Sequence, residues 1–198
     1  VTLYLWFDCE TTGLDPARHA IIEVAAILTG PDLQPVREIT TLVDPDPDDC
    51  WDPEVVAIHD QSGLRAGLYA QAGQPGGLPR IDDVTYRVSG MIAAYGRGSV
   101  NGSSPSNVIL AGRSVHFDRS FIRARMPALD RRLSHRHLDV SAIERFCVDA
   151  WGDRCLQAGP KPHRARADLD ACLQHYRMLR DIAASATPSH WAGDGEAP

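Results

Sequence analysis

The stretch Leu3-Tyr4-Leu5-Trp6-Phe7-Asp8-Cys9-Glu10-Thr11-Thr12-Gly13-Leu14 decides how this chain is read. Its apolar run, Leu3 to Asp8, reads as a strand, and Gly13 closes it with a turn. Side chains alternate along a strand, so positions 8 and 10 point to the same side. Two carboxylates forced together repel unless positive charge sits between them. The usual answer is a divalent cation held by oxygen ligands. Asp-x-Glu alone is a weak signal in so acidic a chain, and its weight here comes from three later partners.

The first partner is Asp118. An apolar strand over 108–111 breaks at Gly112, a helix begins near Ser114, and Asp118 falls in its first turns. The second is His163, on the loop before the last long helix, and the third is Asp168, in that helix's first turns. A carboxylate there is electrostatically favoured. Asp170, two residues on, is the rival to Asp168. A lone acid near a helix start is more often a cap, and a lone histidine more often a surface residue. Four acids and one histidine, each at an element boundary, are what a metal-dependent phosphodiesterase needs.

These residues resemble the DEDDh family of 3′→5′ exonucleases, and within it the oligoribonucleases. Five motifs carry the resemblance, in the family's order. They are Asp8-x-Glu10 with Thr12-Gly13-Leu14, then Ile58-His59-x-x-Ser62-Gly63-Leu64, then Gly112-x-Ser114-x-x-x-Asp118. Leu138-Asp139-Val140-Ser141 and His163-x-Ala165-x-x-Asp168 complete the set. The likeness covers roughly residues 3 to 180. It implies an α/β, ribonuclease H-like fold with a mixed five-stranded sheet flanked by helices.

Composition bounds the alternatives. The length of 198 residues suits one domain, here 1–186, with a tail at 187–198 too poor in apolar residues to order. No apolar run approaches the ~20 residues of a membrane helix, so no membrane partner is expected. The chain begins in a strand, without a basic-then-apolar signal pattern. Five cysteines with no C-x-x-C pair point to a reducing compartment, and a cytoplasmic protein is expected.

The net charge of −6 argues against a grip on long nucleic acid, whose affinity comes mostly from neutralised phosphates. A very short substrate has few phosphates to neutralise. Charge is also uneven: Arg113 to Arg136 holds seven arginines against two aspartates, Asp118 and Asp130. A solvated helix face accounts for such a run as readily as binding does. Lys161 is the only lysine.

Strands are expected at 2–8, 20–29, 36–43, 107–111 and 136–140. Helices are expected from Asp52-Pro53-Glu54 to about His59, and near 81–95, 117–126, 141–150 and 164–185. The last carries Leu169, Cys172, Leu173, Tyr176, Leu179, Ile182 and Ala183 at helical spacing. Residues 70–79 and 96–107 read as loops, and 151–162 as irregular.

The resemblance implies more than the residues alone. Two divalent cations, Mg²⁺ or Mn²⁺ about 3.5–4 Å apart, would serve phosphodiester hydrolysis. Asp8 would bridge both, Glu10 and Asp168 would bind one, and Asp118 would act directly or through water. His163 would take a proton from the attacking water, a task suited to the side chain that ordinarily titrates near neutral pH. Leu14 would wedge between two bases, and His59 would contact the 3′ nucleotide. Ser114, Arg136 and Ser141 would cap a 5′ phosphate, and a capped phosphate favours dinucleotides because a longer strand has no exit. His135 stands where the family offers a tyrosine from a partner subunit of a homodimer. Arg113 replaces an asparagine, and Glu54 replaces an aromatic. The expected activity is 3′→5′ hydrolysis of short RNA, or of single-stranded DNA, from a free 3′ end to nucleoside 5′-monophosphates. A general single-strand exonuclease and an inactive nucleic-acid-binding domain are the competing readings.

Overall fold

In the computed structural model the strand begun at Leu3 runs further than its apolar stretch, Leu3–Thr11 (β1), and carries Asp8 and Glu10 within it. The structure describes residues 2–45, 49–95, 108–157, 159 and 161–186. The expected loop at 96–107 and the tail at 187–198 lie outside the described residues. β1 pairs antiparallel with β2 (Ile21–Thr29), which pairs antiparallel with β3 (Pro35–Leu42). On its other side β1 pairs in parallel with β4 (Val108–Gly112), and β4 in parallel with β5 (His137–Asp139). The sheet order is β3-β2-β1-β4-β5, the mixed five-stranded sheet expected.

The period of two in β1 sorts its side chains between two cores. Leu5 and Phe7 pack with Val84, Val88 and Ile92 of α3 (Ile81–Tyr95) and with Phe121 and Ile122 of α4 (Val115–Arg125). Trp6 packs on the opposite face with Leu169, Leu173 and Leu179 of α7 (Ala165–Ala186) and Cys147 of α6 (Val140–Trp151). Its indole N–H donates to the Thr29 hydroxyl at 3.1 Å, and its ring lies 5.3 Å from Tyr176. Asp8 and Glu10 continue the Trp6 side, so they face α7. β2 is buried along its whole length, which explains its unbroken apolar run: both faces of a central strand are covered.

Asp52 starts α1 (Pro53–Gln61) as expected, its carboxylate accepting the Glu54 N–H at 2.9 Å with Pro53 behind it. Three readings need correction. Residues 64–72 form a helix, α2 (Leu64–Ala72), which takes in the start of the expected 70–79 loop. Its Leu64 and Leu68 close a small third core with Ala20 and Ile22. A one-turn helix, α5 (Pro127–Asp130), follows α4. β5 is also shorter than the expected 136–140.

Candidate active site

β1 ends where α7 begins, and this brings three acids together. One carboxylate oxygen each from Asp8, Glu10 and Asp168 lies within 4.8 Å of the other two. They line a cavity of about 450 Å³ together with Asp118, His163, His59, Leu14 and Ser114. β4 runs parallel beside β1 and leads into Arg113 and Ser114 of the same lining. Gly112 lies so close to β1 that a Cβ there would stand 2.9 Å from the Phe7 carbonyl oxygen.

Crowding and burial decide the charge state of these acids. Burial, then the neighbouring Asp168, pushes Asp8 up to about 7, with Lys161 opposing. Burial, then Asp8 and Asp168, pushes Glu10 up to about 8. Asp168 is raised by burial, against the Arg164 N–H, Lys161 and His163. Three carboxylates all raised above their ordinary pKa by burial are a fitting cradle for a hard divalent cation.

Asp118 stands slightly apart. It is 3% exposed, and one of its oxygens accepts the Cys9 backbone N–H at 3.2 Å and the Cys9 thiol at 3.4 Å. Burial, then Asp8, holds its carboxyl well above the usual range. It lines the cavity but does not belong to the three-oxygen cluster. Asp170 is out of the site, paired instead with Arg166 at 2.9 Å.

His59, on α1, is 2% exposed. Its Nε2–H donates to the Thr11 carbonyl at 2.9 Å, which leaves Nδ1 without a hydrogen-bond partner, 3.9 Å from Glu10. Burial lowers its pKa, so the ring is neutral and Nδ1 is an acceptor facing the cavity. Val55 and Ile58 of α1 supply an apolar wall. Leu14, 71% exposed, stands at the rim.

The residues expected at a 5′ phosphate divide. Ser114 lines the cavity. Ser141 does not; its hydroxyl donates to Asp139, which also accepts the N–H groups of Ser114, Val115 and Ser141 at 3.0–3.1 Å. Asp139 thereby caps α6 and fixes the turn into α4. Arg136 and His135 are exposed and outside the cavity lining. Arg113 does line it, its guanidinium donating to Glu144 at 2.7 Å.

Sequence reasoning passed over several contributors. Gln157, Lys161 and His116 also line the cavity. Glu23 was missed as well. It is 2% exposed on β2 and binds Arg164 and the N–H of Ala165. A single acid inside a nine-residue apolar strand was the available signal.

Comparison with known proteins now decides the family. Residues 5–74 match the RNase T family profile, described as an exonuclease. An oligoribonuclease of Mycobacterium sp. (strain KMS) is 32% identical over 196 residues, spanning 96% of this chain and 85% of that protein. The chain belongs to the oligoribonuclease family. Another oligoribonuclease, from Corynebacterium diphtheriae, is 35% identical over 182 residues, 89% of this chain and 80% of its own length. Solved structures show the same fold. E. coli exonuclease I, in a zinc-bound complex with single-stranded DNA, gives a TM-score of 0.67 at 16% identity over 92% of this chain. Exonuclease I of Methylocaldum szegediense gives 0.67 at 18% identity over 91% of this chain. This chain spans only 41% of either of those chains. Membership in the oligoribonuclease family implies use of a divalent metal, and the acid cluster is chemically suited to one. No helix among the described residues is long and apolar enough to cross a membrane.

Proposed function

We propose that this chain is a cytoplasmic 3′→5′ exoribonuclease that trims RNA fragments of two to five nucleotides, dinucleotides above all, to nucleoside 5′-monophosphates. The observation that carries this reading is the convergence of Asp8, Glu10 and Asp168 on one cavity with His163 and His59 in its lining. Asp8, Glu10 and Asp168, with Asp118 beside them, are the residues to hold two divalent cations, Mg²⁺ or Mn²⁺. Bound there, the cations would offset phosphoryl charge and ease departure of the 3′-oxygen.

The chain's own groups supply the rest. His163 is assigned the proton of the attacking water. The His59 Nδ1 is an acceptor suited to a hydroxyl of the 3′-terminal nucleotide. Leu14 at the rim and Val55 and Ile58 on the wall offer apolar surface to base faces. Lys161 brings positive charge to a cavity otherwise dominated by acids. The oligoribonuclease relatives support the short-RNA substrate, and the free state of all five cysteines supports a reducing compartment. We further assign residues 1–186 to one domain acting as a homodimer, in which His135 would reach the partner's site.

One observation favours a second reading, a general exonuclease on single-stranded RNA or DNA. Arg136 and His135 lie outside the cavity lining, and Ser141 is engaged by Asp139, so the described residues of one chain leave the 5′ end open. Initial rates on 5′-phosphorylated RNA of two, five and 20 nucleotides separate the two readings. The proposed function predicts a steep fall with length. A flat or rising profile that weakens strongly with salt supports the second reading.

A further inference from the structure

β2 is buried throughout and apolar but for Glu23 and the terminal Thr29, and Glu23 stands opposite Glu10 in the β1/β2 register. A carboxylate 2% exposed is costly unless fully paired, and a buried ion pair is a poor way to gain stability where an aliphatic side chain would pack. Glu23 is fully paired. It receives Arg164 through Nε at 3.2 Å and Nη2 at 2.8 Å, a forked geometry, and accepts the Ala165 N–H at 2.9 Å. What it grips is the junction between the His163 loop and α7.

That junction is strained. His163 has φ +52°, a left-handed conformation that is unfavourable for a non-glycine residue and persists only when its surroundings enforce it. The next two residues, 164 and 165, are the ones Glu23 holds. The same Arg164 donates its backbone N–H to Asp168 at 3.2 Å, and its carbonyl accepts the Asp168 N–H at 2.9 Å. One buried carboxylate on β2 therefore reaches both His163 and Asp168 through Arg164. Each lies about 140 residues away in sequence.

We propose that Glu23 and Arg164 are positioning residues. Glu23 anchors Arg164, and Arg164 fixes the backbone that aims His163 and Asp168 at the cavity. The inference rests on the hydrolytic reading above and adds that the site's geometry is set from β2. Arg164 is the better handle for a test because its side chain is 42% exposed, so its replacement opens no cavity, and the melting temperature reads the cost of leaving Glu23 without its charge partner.

Arg164→Met, Arg164→Lys, Glu23→Gln and His163→Ala are compared with the full wild-type chain in kcat, KM, melting temperature and Mn²⁺ affinity of the metal-free protein by calorimetry. Arg164→Met lowers kcat by roughly 10- to 100-fold with KM within about twofold, because misplacing a reacting group acts on the chemical step. It weakens Mn²⁺ binding by about 10-fold, the low end for losing a group that orients a ligand. Arg164→Lys, which keeps the charge but not the fork, falls between wild type and Arg164→Met. Glu23→Gln reproduces Arg164→Met, and the double variant is no worse than either. The proposal is overturned if Arg164→Met keeps both kcat and Mn²⁺ affinity within about twofold of wild type, whatever its melting temperature. It is equally overturned if the loss falls in KM alone. His163→Ala judges the hydrolytic reading separately: unchanged kcat in that variant removes the base itself, whereas a dead His163→Ala beside a normal Arg164→Met removes only the positioning role.

Discussion

Asp8 and Glu10 hold protons at a pH where isolated carboxylates would have lost them, because burial, then Asp168 beside Asp8 and Asp8 beside Glu10, penalise ionisation. This makes the metal-free protein's stability depend on pH in a definite direction. The folded values, about 7 and about 8, lie above the ordinary 3.8 and 4.5. Their contribution is therefore complete below the ordinary values and is lost as pH rises through 7 to 8. His59 works the other way, but its lowered pKa matters only as pH falls below its ordinary 6.5. Between about pH 9 and about pH 7, in the presence of a chelator, the melting temperature should rise as pH falls. Glu10→Gln should flatten part of that slope, and so should Mg²⁺ or Mn²⁺ in place of the chelator. A scan by differential calorimetry checks this, and an equal slope in wild type and Glu10→Gln would contradict it. The Asp-x-Glu pair was legible in sequence because two residues on one strand share a side. The Cys9–Asp118 contact joins residues 109 apart, and no local spacing announces it.

At the scale of elements, the site depends on how tightly β4 lies against β1. Gly112 permits that approach, since a Cβ would meet the Phe7 carbonyl at 2.9 Å, immediately before Asp8. Gly112→Ala should push the strands apart and destabilise the fold by about 1–3 kcal/mol in urea titration, as overpacking does. It should also lower the affinity for Mn²⁺. Unchanged stability would show that β4 yields without cost. The strands and long helices were legible where a period, a turn or a cap marks them, as Asp52 and Pro53 do for α1, whereas β2, too uniformly apolar for its period to be read, was placed as a central strand by the family resemblance. α2 was not legible. Its Leu64 and Leu68 are buried only because Ala20 and Ile22 come to meet them, and its neighbouring glycines and glutamines read as loop. The Glu23–Arg164 pair escaped for a similar reason: an ion pair between a strand and a helix 141 residues away has no spacing to read.

For the whole molecule, a sheet with two acids at the end of β1, a third from α4 and a fourth from α7 is a scaffold for cutting a chain end. The net charge of −6 and the modest cavity agree with a substrate of few phosphates. The motifs pointed to Asp8, Glu10, Asp118, His163 and Asp168, which line one cavity, whereas Arg136 and His135, proposed for the 5′ end of the substrate path, are exposed and outside its lining. The most direct test follows the products formed from a 5′-phosphorylated pentaribonucleotide with Mn²⁺, for wild type, Asp168→Ala and His163→Ala. The prediction is stepwise release of nucleoside 5′-monophosphates from the 3′ end, reduced on the order of 10²–10⁴-fold in His163→Ala and at least as much in Asp168→Ala. Internal cuts, activity that survives a chelator, or an undiminished Asp168→Ala would contradict the account.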